Sequence, residues 1–260
     1  MSNGLNNFSM DFFSLKGKVA IVTAGNTGLG QAYAVALAKA GADLVIPTHG
    51  KDWDETRRLI ENEGRQVIFV QGDLTNKEDR ENVIKLAIQV YGKIDILVNN
   101  AGTIRRAPLL EYTEDDWNAV MDINLNALYF LSQEVAKVMV KQGSGKIINI
   151  ASMLSFQGGK FVPPYTASKH GVAGITKAFA NELACKNIQI NAIAPGYIKT
   201  ANTAPIRADE KRNAEIQDRI PADRWADPSD LMGAVVFLAS KASDYVNGHI
   251  LAVDGGWLVR

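Results

Sequence analysis

Short apolar runs alternate with longer segments of helical period along most of the chain. Lys18–Thr23 (KVAIVT) is a compact apolar run, and Asp43–Ile46, Gln66–Gln71, Ile94–Val98, Lys146–Ile150, Ile188–Ile193 and Ile250–Val253 have the same character. Runs of this length, apolar throughout, predict strands buried on both faces. Between them the apolar positions recur with helical spacing: Gly28–Ala40, Trp53–Glu63, Lys77–Tyr91, a long stretch from about Glu114 to Val140, Tyr165–Ala184 and Ser229–Ala239. Gly41, Gly64 and Gly92 stand where three of these helices should stop. Strands and helices in strict alternation predict an α/β protein with a parallel sheet covered on both sides. Right-handed crossovers make that sheet doubly wound, with about seven strands in a single domain spanning 14–260. Residues 1–13 fit no element and are expected to be an N-terminal arm. The charge-rich stretch of about 197–227 fits neither period, and a connection that long is expected to serve as a substrate lid.

A chain of 260 residues, 47% hydrophobic and 22% charged, has ordinary globular composition and suffices for one core. Lys plus Arg number 28, and so do Asp plus Glu. No net field therefore attracts nucleic acid or an anionic membrane. The lone cysteine, Cys185, has no partner for an internal disulfide, which fits a reducing compartment. It lies at the end of a helical pattern and is read as a plain thiol. His49, His170 and His249 are scattered without metal-ligand spacing, so no metal is expected. No apolar run approaches the ~20 residues of a membrane span. The N-terminal dozen residues lack the basic start and apolar stretch of a signal peptide. The cytoplasm is the expected location.

In doubly wound sheets ligands bind beyond the carboxyl ends of the strands. The first apolar run leads into Thr23-Ala24-Gly25-Asn26-Thr27-Gly28-Leu29-Gly30. Glycines at a strand-to-helix turn let the backbone approach a pyrophosphate, and the following helix offers free N–H groups and a positive dipole end. After the third strand comes Asp73-Leu74, where a carboxylate could accept from an adenine amino group. After the fourth comes Asn99-Asn100-Ala101-Gly102, small enough for a ribose to pass closely. The second strand is followed by Pro47-Thr48-His49-Gly50-Lys51 and no acid. A carboxylate there would hold a ribose 2′-hydroxyl and repel a 2′-phosphate. Thr48, His49 and Lys51 tolerate a phosphate without clamping it, so the choice between NAD(H) and NADP(H) stays open.

Tyr165-Thr166-Ala167-Ser168-Lys169 opens a helix directly after Pro163-Pro164. A spacing of four puts Tyr165 and Lys169 on one helix face. A phenol titrates near ~10, and a neighbouring ammonium favours its ionised form. The pair can exchange a proton with an alcohol or carbonyl oxygen. Ser152, at the end of the fifth strand, offers a hydroxyl to the same oxygen.

The glycine-rich turn, Asn99–Gly102, Ser152, the Tyr165-x-x-x-Lys169 pair and Pro195-Gly196 after the sixth strand together resemble the short-chain dehydrogenase/reductase family, over about 14–260. The resemblance implies a Rossmann-like fold, a nicotinamide dinucleotide cofactor and hydride transfer. By it Ser152 positions the substrate carbonyl, Tyr165 is the acid/base, and Lys169 binds the nicotinamide ribose and lowers the tyrosine pKa. Asn124, in Met121–Asn126 (MDINLN), completes a proton relay through water. Cofactor contacts fall to Thr23, Gly25, Asn26, Thr27, Gly28, Leu29, Gly30, Thr48, His49, Asp73, Leu74, Asn100, Ala101, Gly102, Tyr165, Lys169, Pro195, Gly196, Ile198 and Thr200. One departure stands out: Ala24 occupies the family's first glycine position, and the adjacent Gly25 is expected to take up the strained turn.

Ile104-Arg105-Arg106, Ala151–Gly159, Asp218–Trp225 and the terminal VDGGW are similar to the branch of 2-deoxy-D-gluconate 3-dehydrogenases, also described as 2-dehydro-3-deoxy-D-gluconate 5-dehydrogenases. That branch implies a keto-deoxy sugar acid as substrate, and the family resemblance implies a homotetramer. A sugar acid needs a cation for its carboxylate, and a planar guanidinium suits one. Arg105 and Arg106 lie near the expected active-site mouth, with Arg106 preferred, and Arg207, Arg212, Arg219 and Arg224 lie in the lid. Gln157 could reach substrate hydroxyls, and Trp257 could close the pocket wall. Three other readings stay open: a gluconate 5-dehydrogenase, a 3-oxoacyl carrier-protein reductase and a non-catalytic cofactor-sensing scaffold. The balanced charge disfavours an acidic carrier protein, and the retained Tyr165 and Lys169 disfavour a scaffold.

Overall fold

The structure, a computed structural model, describes residues 8–260. Seven strands form one all-parallel sheet: β1 (Val19–Val22), β2 (Asp43–Thr48), β3 (Val67–Gln71), β4 (Ile96–Asn99), β5 (Gly145–Ile150), β6 (Ile188–Pro195) and β7 (Ile250–Val253). Their order is β3-β2-β1-β4-β5-β6-β7. The winding direction reverses between β1 and β4, which pair in the register Val22↔Val98. That reversal opens the crevice in which doubly wound sheets bind ligands.

The alternation of side chains along each strand feeds two separate cores. From β1, Ala20 and Val22 pack toward α1 (Gly28–Lys39) and α2 (Asp54–Glu61), together with Tyr33, Leu37 and Ile60. The same core includes Leu231, Val235 and Leu238, two of them from α9 (Met232–Ala239). Val19 and Ile21 pack on the other face with Val83 and Ala87 of α3 (Lys77–Tyr91). Leu131, Val135 and Met139 of α5 (Ala127–Gln142) and Ala180 of α6 (Pro163–Leu183) complete that layer. A small polar chain crosses the second core. Asn99 Nδ2 donates to Ser132 Oγ and to Asn149 Oδ1, each at 2.8 Å, and Asn149 Nδ2 donates to Thr176 Oγ1 at 2.9 Å. Buried amides satisfied in this way tie β4 and β5 to α5 and α6 in one register.

Four boundaries differ from the sequence expectation. The long helix is two: α4 (Glu114–Met121) and α5, joined by one π-helical turn, Asp122–Asn126. The side chain of Asn124 there bonds the backbone of Thr103, and Asp122, Asn124 and Asn126 are weak helix formers. Helix α6 begins at Pro163, so Tyr165 lies inside its first turn; proline suits that turn because its missing N–H would be unpaired there anyway. Residues 197–227 are not irregular throughout, because they contain α7 (Ala204–Ala208) and α8 (Glu210–Arg219). At the other end, Met10–Phe13 forms a 3-10 turn capped by Ser9, and the rest of the expected arm, 1–7, lies outside the described residues. Among the described residues no helix is long and apolar enough to cross a membrane, and no cluster of potential ligands could hold a metal.

Candidate active site

The turn after β1 is held from three sides. Thr23 Oγ1 accepts from Asn100 N at 2.9 Å and from Ala101 N at 2.8 Å, and Asn100 Nδ2 donates to Thr23 O at 3.0 Å. Ala24 N donates to Pro47 O at 2.9 Å. Ala24 itself takes up the left-handed conformation, with φ 51°, and Gly25 does not; this corrects the sequence expectation. Gly25 serves close packing instead: a Cβ there would stand 3.0 Å from Val22 O and 3.2 Å from Ile46 Cγ2. A left-handed alanine is strained by contact of its Cβ with the backbone. Ala24→Gly is therefore expected to stabilise the protein by about 0.5–1 kcal/mol, measured by urea unfolding. An unchanged or lower stability would show that the turn is unstrained.

Gly30, in the first turn of α1, is the tightest point. A Cβ would stand 2.1 Å from Ala24 O and 2.5 Å from Asn100 Nδ2. The start of α1 can lie against the turn because Gly30 has no side chain, and this directs the N–H groups at the start of α1 into the crevice. Thr27, the N-cap, makes no side-chain capping bond. The cradle thus fits a pyrophosphate. Gly30→Ala is expected to destabilise the fold by about 1–3 kcal/mol and to weaken dinucleotide binding. Unfolding and NADPH fluorescence titrations measure the two effects, and an unimpaired titration would contradict the cradle.

A cleft of about 560 Å³ lies beyond β1 to β4, lined by Ala24, Thr48, His49, Asp73, Leu74, Ala101, Gly102 and Arg105, among others. Thr48 is buried, and its hydroxyl donates to Asn26 Oδ1 at 2.9 Å. Asn26 Nδ2 donates to Asp52 O at 3.0 Å, so the pair braces the end of β2. Asp73 accepts at one oxygen from Thr75 N at 2.9 Å and Thr75 Oγ1 at 2.8 Å. The Thr75 N–H bond chiefly holds its carboxyl below the usual range, and nearby His49 adds to this.

Across the switch point a second cavity, of about 500 Å³, receives Ser152, Tyr165, Gln157 and Arg106. Leu29, Pro195, Gly196, Ile198 and Thr200 line it too, so several predicted cofactor contacts share it with the predicted catalytic groups. Ser152 follows β5 and is fixed by its neighbours. Its Oγ accepts from Leu154 N at 3.1 Å, and its own N–H donates to Ser155 Oγ at 3.3 Å. Ser155 Oγ donates in turn to Lys169 O at 2.7 Å, joining the β5 end to α6. Lys169 is buried and donates from Nζ to Ile150 O at 2.6 Å, with Nζ 5.5 Å from the Tyr165 ring centroid. Burial lowers the Lys169 ammonium to about 8. Burial also raises the Tyr165 phenol, against the opposing pull of its hydrogen bond with Ser152 and of Arg106. The net direction at the phenol is thus upward, opposite to the expected effect of the lysine, because removal from water outweighs the charges around it.

Asn124 is buried at the π turn. Its Oδ1 accepts from Thr103 N at 2.7 Å, and its Nδ2 donates to Thr103 O at 2.9 Å and Ser168 Oγ at 3.2 Å. The amide clamps the loop after β4 onto α6, next to Gly102, where a Cβ would stand 3.1 Å from Asn124 Oδ1.

The arginines separate clearly. Arg105 turns away from the cavity, with Nε 3.9 Å from Asp116 Oδ1 and its carbonyl accepting from the Tyr112 hydroxyl. Arg106 lines the cavity. In the 197–227 segment, Arg224 is bidentate on Asp230 at 2.7 and 2.9 Å, and Arg207 Nη2 donates to Thr200 O at 3.2 Å. Arg212 and Arg219 line the cavity. Trp257 Nε1 donates to Gln157 Oε1 at 3.2 Å. Sequence reasoning did not single out Ser155, Thr103 or Tyr197. Ser155 forms a capping box with Ser152, and that three-residue spacing is the signal from which it could have been found; the other two act through backbone and packing and leave no such signal.

A doubly wound sheet with a glycine cradle at its switch point, a serine and a tyrosine lining the cavity beside it, and a buried lysine near the tyrosine ring, defines a nicotinamide-dinucleotide-dependent oxidoreductase. The short-chain dehydrogenase/reductase model described as Enoyl-(Acyl carrier protein) reductase matches residues 23–258. The chain belongs to the short-chain dehydrogenase/reductase family. It is 57% identical over 252 residues to the 2-dehydro-3-deoxy-D-gluconate 5-dehydrogenase of Bacillus subtilis (strain 168), covering 96% of this chain and 98% of that one. A structure from Agrobacterium tumefaciens, provisionally assigned as a 2-deoxy-D-gluconate 3-dehydrogenase and holding NADP, superposes with a TM-score of 0.87 at 53% identity, over 95% of this chain and 99% of that one. The gluconate 5-dehydrogenase of Burkholderia cenocepacia J2315, in complex with NADP and tartrate, gives 0.92 at 38% identity, over 96% and 98%.

Proposed function

We propose that this protein oxidises a hydroxyl, or reduces the matching ketone, of a deoxy sugar acid: 2-dehydro-3-deoxy-D-gluconate or 2-deoxy-D-gluconate. The observation that carries this reading is the cavity beside the glycine cradle. It presents Ser152 and Tyr165 together with Arg106, Arg212 and Arg219, which have no carboxylate partner among the described residues. The names of the relatives agree with a polyhydroxylated acid as occupant.

A bound nicotinamide supplies the hydride acceptor in oxidation and the donor in reduction. The protein's own residues handle binding and the proton. The turn Thr23–Gly30 takes the pyrophosphate, with Gly25, Asn26, Thr27, Gly28 and Leu29 shaping it. Thr48, His49, Asp73 and Leu74 flank the adenosine end, and Asn100, Ala101, Gly102, Pro195, Gly196, Ile198 and Thr200 flank the rest. Ser152 donates to the substrate oxygen. Tyr165 takes the proton from that oxygen in oxidation and returns it in reduction. Lys169 holds the nicotinamide ribose beside the phenol, and Asn124 keeps the loop after β4 in place for the proton relay. Of the two arginines after β4, Arg106 faces substrate and Arg105 serves the loop. Gln157 reaches substrate hydroxyls while anchoring Trp257. Residues 197–227 close over the acid.

Exposed Trp117, Phe130 and Val140 on α4 and α5 support assembly into a homotetramer. The exposed, unpaired Cys185 supports a reducing compartment, the cytoplasm. The Burkholderia cenocepacia relative keeps gluconate in view as a second substrate.

The test is turnover at 340 nm by the purified protein, with NAD(H) and NADP(H) supplied separately. The two deoxy acids, gluconate and their keto forms are the substrates. Turnover of the deoxy acids is expected. Turnover of gluconate alone would select the second reading, and silence on every acid would remove the substrate assignment.

A further inference from the structure

Helix α8 carries Arg212 and Arg219 seven positions apart, two turns along one side. Both line the cavity that holds Tyr165, and neither is ion-paired among the described residues. Their neighbour Asp209 is engaged as the cap of α8, accepting from Arg212 N at 3.1 Å. Arg219 has a built seat. Its guanidinium carbon lies 4.0 Å from the Trp257 ring centroid. Trp257 is buried, held by Gln157 through its indole N–H, and packed against Tyr197 at 4.8 Å between centroids. A guanidinium stacked on an indole keeps its in-plane N–H groups available, an oriented fork that suits a carboxylate.

Among the described residues four cations line the cavity, Arg106, Lys160, Arg212 and Arg219, and Lys160 lies with Nζ 5.0 Å from the Phe161 ring centroid. Burial raises the Tyr197 phenol, and Arg212 and Arg219 draw it back. At Tyr165 the opposing cation is Arg106. Arg219 stands against Trp257, with Arg212 on the same helix, and Arg106 is the arginine that acts on Tyr165.

We propose that Arg212 and Arg219 bind the substrate carboxylate against Trp257 and thereby select a carbon remote from it for oxidation. In a six-carbon acid four C–C bonds separate C1 from C5, a reach of about 5 Å. An acid anchored at the Trp257 end offers its far hydroxyls to Ser152 and Tyr165 and keeps the carbon beside the carboxylate away from them. Arg106 faces the reacting oxygen and its neighbours. This rests on the sugar-acid reading above.

The experiment compares 2-deoxygluconate with its neutral primary amide, using the full chain with saturating NADP. Wild type, Arg212→Gln, Arg219→Gln, Arg219→Lys and Arg106→Gln are assayed for kcat/KM on both, with NADPH binding followed by fluorescence. Each glutamine variant on α8 is expected to cut the acid-to-amide preference about 10- to 100-fold, the size of a lost charge-assisted hydrogen-bond pair. NADPH binding should be retained, and Arg219→Lys should restore only part of the preference, having the charge without the fork. Arg106→Gln should slow both substrates and leave their ratio near the wild-type value. The proposal is overturned if the α8 variants keep the wild-type ratio, or if Arg106→Gln alone abolishes it. A wild type that binds NADPH yet turns over no sugar acid overturns the sugar-acid reading itself.

Discussion

Tyr165→Phe is expected to lower kcat by about 10²–10⁴-fold, the usual contribution of a positioned proton-transfer group. Phenylalanine keeps the ring in the first turn of α6 and removes only the hydroxyl that shares the cavity with Ser152. The fold should not suffer, because the Tyr165 hydroxyl is not part of the polar chain through Asn99, Asn149 and Thr176. NADPH titration should still show binding, since the cradle from Thr23 to Gly30 is untouched. Ser152→Ala should also be severe, and the double variant should be little worse than Tyr165→Phe alone, since the two act on one oxygen. Activity within tenfold of wild type in Tyr165→Phe would assign the proton to another group.

Lys169→Met should lose most activity and gain stability. Burial alone brings the ammonium from its ordinary 10.5 to about 8. At roughly 1.4 kcal/mol per pKa unit, this represents a charged-state penalty of about 3 kcal/mol, partly offset by the hydrogen bond to Ile150 O. The sign follows from which form the folded protein prefers. The folded pKa lies below the unfolded one, so the penalty is full below pH 8, where both states carry the proton. It fades as pH rises from about 8 to 10.5, where the folded amine is already neutral. Methionine fills a similar volume without the charge, so the variant should unfold at higher temperature than wild type near neutral pH. The gap should close as pH climbs through that window. A gap that does not change with pH would mean that Lys169 is solvated in the folded protein.

Much of this was legible in the sequence for a physical reason. Strands buried on both faces must be apolar throughout, so β1, β4 and β5 announced themselves, and the residues directly after them had to form the site. Tyr165 and Lys169 were visible because a helix face fixes their separation. The pKa direction at Tyr165 was not legible, because spacing reveals a nearby charge and says nothing of how much water is removed. The strain at Ala24 was misassigned to Gly25 because residue type alone suggested that glycine would absorb it. The backbone instead uses Gly25 for close packing under Val22 and Ile46. The break at Asn124 was hidden because a π turn leaves the apolar period of its flanking helices nearly intact. The different fates of Arg207, Arg212, Arg219 and Arg224 depend on tertiary partners: Asp230 takes one, Thr200 another, and Trp257 a third.

The most direct test of the central claim is label transfer. NADPH deuterated at the reactive nicotinamide carbon is incubated with wild-type protein and the keto form of the deoxy sugar acid, and the product is examined by NMR. Deuterium on the single carbon that bears the new hydroxyl, with none in Tyr165→Phe over the same time, is the predicted result. A product without the label, or no product while NADPH remains bound, would contradict hydride transfer to a sugar acid at this site.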